Sequence, residues 1–89
     1  MKALDGWTLH GEGAALCLQR RFAAAGWAAP LALANAVGCL AERLNHHPDL
    51  IVQYGHCTVQ WRTHDVGGIT RLDVEAAQRV DALWRALQP

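Results

Sequence analysis

The sequence has no excess of charge of either sign. Eight lysine and arginine residues balance eight aspartate and glutamate residues, so the formal net charge at pH 7 is +0. Nucleic-acid binding depends on clustered positive charge that neutralises phosphates, and no basic cluster occurs here. Charged residues make up only 18% of the chain and hydrophobic residues 52%, which excludes an intrinsically disordered protein. We therefore predict a folded protein whose partner is not a nucleic acid.

Cysteine is sparse and scattered. Cys17, Cys39 and Cys57 are odd in number, and the sequence contains no C-x-x-C pair. Their spacing excludes a zinc ribbon and a thioredoxin-like motif. We interpret all three as free, buried thiols, which fits a reducing compartment, and we predict a cytoplasmic location.

The sequence also lacks an apolar run long enough to cross a membrane. Its most apolar stretch, residues 26–44, is interrupted by Pro30, Asn35 and Glu42. Residues 1–7 contain no apolar core of signal-peptide length. We expect a soluble helix in this stretch and no membrane partner.

The length of 89 residues predicts a single domain, residues 1–89, near the small end of what folds alone. A domain of this size leaves much of its surface exposed after folding, and the supply of apolar residues is rich. Some of this apolar surface is therefore expected at a subunit interface, and we predict a homodimer or homotetramer.

Hydrophobic periodicity predicts six elements in the order β-β-α-β-β-α. Predicted strands cover residues 7–9, 16–22, 50–52 and 57–64. One helix is predicted over residues 30–44, and a second begins at the capping box Thr70-x-x-Asp73. The predicted apolar stripe of the second helix consists of Leu72, Ala76, Val80, Leu83 and Leu87. These elements predict an α+β fold, a four-stranded antiparallel sheet with two helices packed on one face.

Histidines occur where two of these elements end. His46 and His47 follow the first helix, which Asn45 and Pro48 are expected to end, and His64 lies in the polar row of the last strand. Histidine has an ordinary pKa of about 6.5 and therefore exchanges protons near neutral pH. Three histidines meeting in one pocket would indicate either a metal centre or proton-transfer chemistry.

A metal centre is the less favoured of these two interpretations. Adjacent histidines do not easily point at one ion, and the sequence has no H-x-x-x-H pair. Nucleophilic catalysis has little support either, because no G-x-S-x-G motif occurs and Cys57 lies in mid-strand without an activating neighbour.

Each polar residue taken alone also has a structural explanation. A histidine at 46 or 47 bonds the last carbonyls of a helix, and His64 lies on a strand surface. Asp73 completes the capping box, Tyr54 covers an apolar edge at a turn, and Glu42 pairs with Arg43 or faces solvent. These explanations do not account for the joint pattern.

The joint pattern resembles the pterin-4a-carbinolamine dehydratase family. That family has an acidic or polar residue, then His-His-Pro, an aromatic residue, a histidine and an aspartate at set intervals. The matching positions, seven over 32 residues, are Glu42, His46, His47, Pro48, Tyr54, His64 and Asp73. The surrounding segments AERLNHHPDL and THDVGGIT are also similar to the family. The sequence departs from the pattern at Leu50, where an aromatic residue is common, and before the first strand, where members carry a helix.

The resemblance implies a lyase that removes water from 4a-hydroxytetrahydropterin and gives quinonoid dihydropterin, in support of pterin cofactor recycling. The reaction involves no redox change, so the resemblance implies no cofactor and no metal. It assigns four catalytic residues: His46, His47, His64 and Asp73. The pterin-binding residues that it implies are Glu42, His46, His47, Pro48, Tyr54, Thr63, His64, Asp65 and Val66.

Within this assignment, His46 and His64 form the acid/base pair, and His47 binds and orients the pterin ring. Asp73 orients a histidine or only caps its helix. Two rival functions stay open. One is a non-catalytic assembly or protein-interaction module on the same scaffold, since relatives also serve as dimerisation partners of transcription factors and as assembly chaperones. The other is a metal-binding module.

Overall fold

The computed structural model describes residues 4–63 and 68–88. The described part contains four strands and two long helices, in the order β-β-α-β-β-α. Their bounds are β1 Thr8–His10, β2 Cys17–Ala23, α1 Ala28–Leu44, β3 Asp49–Gln53, β4 His56–Trp61 and α2 Arg71–Leu87. The strands form one sheet in the order β1-β2-β4-β3, and every neighbouring pair is antiparallel. The predicted fold class is confirmed.

The register of the sheet determines which side chains face the helices. Directly opposed residues of an antiparallel pair point to the same face, so Leu18 and Trp61 share a face, as do Phe22 and Cys57. The buried residues of this face join Leu33, Val37 and Val80 of the helices in one core cluster. The opposite face carries polar groups, among them Gln19 and Gln60, whose side chains share a hydrogen bond of 2.6 Å. Both helices therefore pack on one face of the sheet.

The strands begin or end within a few residues of the predicted positions. Trp7 was expected to open the first strand, but it lies in the core, 7% exposed, and β1 begins at Thr8. The last strand ends at Trp61, and Thr63 forms an isolated bridge with Gly68. The interpretation of Cys39 as a buried thiol was wrong, because its position on α1 is exposed.

Helix α2 presents a different face to the core from the one its leucines predicted. Ala76, Ala77 and Val80 are fully buried, whereas Leu72 is 55% exposed and Leu87 49% exposed. Asp73 is fully buried in place of its neighbour Leu72. Consecutive helical residues lie about 100° apart, so burying the aspartate turns the leucine outward. Polar bonds made by Asp73 determine the orientation of the first turn.

Candidate active site

The end of α1 places His46. Asn45 adopts the left-handed conformation, with φ 50°, and its backbone N–H donates to the carbonyl of Glu42 at 3.3 Å. The backbone N–H of His46 donates to the carbonyl of Ala41 at 3.2 Å. These two bonds form a Schellman motif, in which a left-handed residue ends the helix and the next residue is bonded back to it. The backbone of His46 is thus part of the helix terminus and not of a free loop.

The imidazole of His46 is held on two sides. Its Nε2 lies 2.7 Å from Oδ1 of Asp73, and its ring stacks on the indole of Trp61 with centroids 5.4 Å apart and planes 17° apart. Only 12% of the side chain is exposed. Because an ionised carboxylate can only accept, Nε2 carries the proton of this bond. Nδ1 is then the ring nitrogen left for a further partner.

Asp73 collects hydrogen bonds from three sources although its side chain has no exposure to solvent. Its Oδ2 accepts from the backbone N–H of Thr70 at 2.9 Å and from the hydroxyl of Thr63 at 2.7 Å. Its Oδ1 faces His46. A buried carboxylate is costly unless it is fully hydrogen-bonded, and these donors satisfy it. Asp73 therefore both caps α2 and contacts a histidine, the two roles that its sequence context had left as alternatives.

His47 is paired differently from its neighbour. Its Nε2 lies 2.6 Å from Oε1 of Glu42, one turn back on α1, and the two side chains are 55% and 79% exposed. Glu42 therefore contacts a histidine, whereas its sequence context had suggested Arg43 or solvent. Exposed pairs of this kind add little to stability but restrict the orientation of the ring.

Some of the predicted site residues are not brought together within one chain. Tyr54 lies in the two-residue turn between β3 and β4 and is 77% exposed. The end of the β3–β4 hairpin that is nearest to His46 and His47 is the pair of Asp49 with Gln60. Tyr54 lies five residues beyond Asp49, which is about 17 Å at 3.4 Å per residue. Pro48 is half-buried between His47 and β3. Three further predicted site residues lie outside the described residues: His64, Asp65 and Val66. The predicted contact between His64 and the pterin therefore stays a prediction.

Two contacts of the site were not predicted from the sequence. The alternation of the last strand placed Trp61 on the apolar face, but no local pattern indicates that a histidine will stack on it. Thr70 was expected to cap α2, yet its hydroxyl also lies 2.7 Å from the hydroxyl of Thr63. The first contact joins the end of α1 to β4, and the second joins the segment after β4 to the N-terminus of α2, so both depend on how these elements pack together.

A small cavity of about 160 Å³ borders His46. Its other lining residues come from the end of α1 and the first turns of α2: Leu44, Leu72, Glu75, Ala76 and Arg79. Ligand pockets usually measure about 300–1,000 Å³, so this cavity alone does not account for a pterin site. It shows that the space beside the imidazole is not completely filled by α2.

Metal and membrane features were also sought in the described residues. Within 4–63 and 68–88, no group of three histidine, cysteine, aspartate or glutamate side chains is arranged to hold a metal ion. Neither α1 nor α2, nor any other helix in those ranges, is long and apolar enough to cross a membrane.

Solved structures with this architecture include two described as pterin dehydratases or similar to them. A transcriptional coactivator/pterin dehydratase from Brucella melitensis superposes with a TM-score of 0.81 at 28% identity, over 92% of this chain and 85% of the other. A pterin dehydratase-like protein described as a RuBisCO assembly factor in the alpha-carboxysome superposes with a TM-score of 0.72 at 23% identity. The second likeness concerns the fold alone.

Sequence comparison leads to the same family. A protein from Paracidovorax citrulli, provisionally named a pterin-4-alpha-carbinolamine dehydratase, is 43% identical over 83 residues, which are 93% of this chain and 72% of the relative. A protein of the same provisional name from Sulfurisphaera tokodaii is 36% identical over 93% of this chain and 85% of the relative. The family described as Pterin 4 alpha carbinolamine dehydratase matches residues 1–83. On these matches, together with the fold, the chain belongs to the pterin 4 alpha carbinolamine dehydratase family.

Proposed function

We propose that this protein dehydrates 4a-hydroxytetrahydropterin to quinonoid dihydropterin by histidine acid/base catalysis. The observation that carries the proposal is the 2.7 Å contact between Nε2 of His46 and the buried carboxylate of Asp73. A histidine whose second nitrogen is bonded to a carboxylate has a fixed orientation and tautomer, as a proton-transfer group requires. Membership of the family supports the choice of substrate class.

The reaction needs two proton transfers and no electron transfer. The bond between C4a and the hydroxyl oxygen breaks as the hydroxyl receives a proton, and water leaves. The proton on N5 is removed, and its bonding electrons form the C4a=N5 double bond of the product. One acid and one base on the two sides of the ring suffice, so the proposal requires no redox cofactor and no metal.

His46 and His64 are the acid and base of this proposal. In this proposal Nδ1 of His46 faces the pterin, which is supported by the contact of Nε2 with Asp73. His47 binds and orients the ring, and Glu42 restrains the imidazole of His47 through their 2.6 Å contact. Pro48, Thr63, Asp65 and Val66 line the binding site. Tyr54 joins this site only if a second chain or a rearranged turn supplies it, since the turn lies far from His46 within one chain.

The biological setting proposed for this activity is the recycling of a pterin cofactor. The protein acts in the cytoplasm, as a homodimer or homotetramer, with a small pterin as its substrate. The apolar composition supports self-association, and the balanced charge gives no support for nucleic acid as a partner.

A second candidate is a non-catalytic interaction module. It is supported by the Brucella melitensis relative, which is described as a coactivator as well as a dehydratase. The contacts between the carboxylates and the histidines favour catalysis. A scaffold that only binds other proteins has no need to fix the imidazole of His46 with the buried carboxylate of Asp73.

The two candidates are separated by stopped-flow measurement of carbinolamine dehydration, with the absorbance of the pterin as the signal. We expect His46→Ala and His64→Ala each to lower the protein-dependent rate by about 10²–10⁴-fold. His10→Ala, an exposed histidine on β1, is the matched control and should keep the rate of the unsubstituted protein. Full acceleration by the His46→Ala/His64→Ala double variant would refute this assignment.

A further inference from the structure

The hydroxyl of Thr63 is bonded to the same carboxylate that contacts His46. Thr63 Oγ1 lies 2.7 Å from Oδ2 of Asp73, and Nε2 of His46 lies 2.7 Å from Oδ1. Thr63 belongs to the segment after β4, whereas His46 belongs to the terminus of α1. A single buried carboxylate on α2 therefore joins two segments that are 17 positions apart in the sequence.

The direction of the hydrogen bonds follows from the chemistry of the groups. A carboxylate has only acceptors, so Thr63 donates its single hydroxyl proton to Asp73. Thr63 then has only lone pairs for Thr70, and Thr70 donates across the 2.7 Å contact between their hydroxyl oxygens. Thr70 in turn accepts from the backbone N–H of Leu72 at 3.3 Å. These bonds run from Leu72 through Thr70 and Thr63 to Oδ2 of Asp73, whose other oxygen, Oδ1, faces His46.

The backbone of Thr63 is fixed at the same point. Its N–H donates to the carbonyl of Gly68 at 2.8 Å, and the two residues form an antiparallel bridge. In the sequence, Thr63 immediately precedes His64, the second proposed proton-transfer residue. The hydroxyl of Thr63 donates its proton to Asp73, so that proton is not available to the pterin.

We propose that Thr63 is a positioning residue for the dehydration: its hydroxyl holds Asp73, and Asp73 holds His46 with the proton on Nε2 and with Nδ1 towards the pterin. This inference rests on the proposed function for its effect on the rate. The predicted effect of Thr63 on the orientation and tautomer of the His46 imidazole does not depend on whether the protein is an enzyme. The role differs from a lining role, because loss of the hydroxyl acts through Asp73 and His46.

The test compares Thr63→Val, which removes the hydroxyl at nearly constant shape, with Thr63→Ser, which keeps it. Thr58→Val is the matched control, a buried threonine of β4 on the opposite face of the sheet. We expect Thr63→Val to lower kcat about tenfold and to change KM by less than about twofold, because the lost bond is to a charged group and does not touch substrate. Thr63→Ser and Thr58→Val should stay within about threefold of the parent kcat.

Nitrogen-15 NMR of histidine-labelled protein supplies a readout without substrate. In the parent protein and in Thr63→Ser, the ring signals of His46 should be those of a single tautomer protonated at Nε2. In Thr63→Val they should shift towards a mixture of tautomers, and they should not shift in Thr58→Val. Parent kcat together with parent His46 signals in Thr63→Val would overturn the inference.

The kinetic measurement and the NMR measurement also distinguish failure of this inference from failure of the proposed function. Should the parent protein not accelerate dehydration, the proposed function fails, and the His46 signals alone decide whether Thr63 positions the ring. Should Thr63→Val not fold, Thr63→Cys replaces it and is compared with Thr63→Ser, which has the same size but a stronger donor. A lower kcat and altered His46 signals in Thr63→Cys support the inference, and equality with Thr63→Ser in both overturns it.

Discussion

Two neighbouring histidines have carboxylate partners in very different surroundings. Asp73, the partner of His46, is inaccessible to solvent, whereas Glu42, the partner of His47, is 79% exposed. A buried carboxylate is stabilised only by its hydrogen bonds to the protein, because water does not reach it, whereas an exposed carboxylate also binds water. His46 therefore has one defined orientation, whereas the orientation of His47 is restrained only by a carboxylate that also has water as a partner.

The first prediction contrasts these two carboxylates. Asp73→Asn should lower the free energy of unfolding by about 1–3 kcal/mol, because one side of the amide is a donor facing donors in a buried site. Glu42→Gln should leave the free energy of unfolding unchanged within error, since its pair with His47 is exposed. Urea denaturation with a constant m value is the measurement. Equal stability of the two variants would contradict the description of Asp73 as a buried anchor.

The second prediction concerns the cysteines. Burial raises the pKa of the Cys57 thiol, and the side chain of Cys57 is fully buried, whereas Cys39 is exposed on α1. The thiolate is the reactive form, and a raised pKa means that it forms only at higher pH. Iodoacetamide should therefore label Cys39 first between pH 7 and 8.5, with Cys57 labelled only on unfolding or in more alkaline solution. Peptide mass mapping at several pH values checks the order, and early labelling of Cys57 would contradict it.

At the scale of the element, the C-terminus of α1 determines the backbone position of His46. Asn45 supplies the left-handed residue, and the next residue in the chain is the proposed acid or base. Only Asn45 lies between Leu44, the last residue of α1, and His46. Any change that shifts the Schellman bonds also shifts the backbone of His46.

The third prediction tests this terminus. Asn45→Val should lower the free energy of unfolding by about 1–2 kcal/mol, because a β-branched residue is disfavoured in the left-handed region. Asn45→Gly should be neutral or slightly stabilising, since glycine adopts a φ of about +50° without steric cost. Thermal unfolding and the dehydration rate are measured together. We expect Asn45→Val to lose rate and Asn45→Gly to keep it, and the reverse order would contradict the account.

The elements were predictable to different degrees. The first helix and the capping box of α2 followed from spacing and from Thr70 and Asp73, because these signals are local. The inward face of α2 was predicted only in part: Ala76 and Val80 are buried as expected, but Asp73 takes the place expected for Leu72, because periodicity counts aspartate as a solvent residue. Local sequence carries no information on those partners.

The same limit applies to the candidate site. Proximity of His46 to Asp73 agrees with the family resemblance, but their 2.7 Å contact requires the packing of α1 against α2. The hydroxyl of Thr63 and the stacking of Trp61 had no signal in the sequence beyond strand alternation. Tyr54 matches the family motif, yet the hairpin register separates it from His46 within one chain.

At the scale of the whole molecule, a second buried carboxylate joins the sheet to α2. Oδ1 of Asp81 accepts from the indole N–H of Trp7 and from the guanidinium of Arg20, both at 2.9 Å. Asp81 lies eight residues beyond Asp73, about 12 Å along the helix axis. One buried carboxylate of α2 therefore lies at the candidate site, and the other buried carboxylate connects the helix to β2 and to the residue before β1.

The fourth prediction separates these two uses. Asp81→Asn should lower the free energy of unfolding by about 1–3 kcal/mol, because the charged partner of Arg20 is lost, while the dehydration rate at saturating pterin should not change. Asp5→Asn, the same change at an exposed position, is the control for stability and should have no effect. A large loss of kcat in a folded Asp81→Asn protein would show that this anchor belongs to the site.

The fifth prediction concerns self-association. Several large apolar side chains are exposed on the described surface of one chain: Leu9, Trp27, Leu31, Ile51, Tyr54, Leu72 and Leu87. Removing such surface from water is favourable by about 25 cal/mol per Å², so a second copy is expected to cover part of it. Sedimentation equilibrium should give two or four times the chain mass of 9.7 kDa. A mass of one chain at every concentration would contradict the predicted assembly.

The most direct test of the central claim is the rate at which the unsubstituted protein dehydrates the carbinolamine. Spontaneous dehydration provides a background, so the stopped-flow rate is measured over a series of protein concentrations at neutral pH. The account predicts a first-order rate that rises in proportion to protein concentration above this background. A rate that stays at the background value over the whole series, with folded protein, would contradict it.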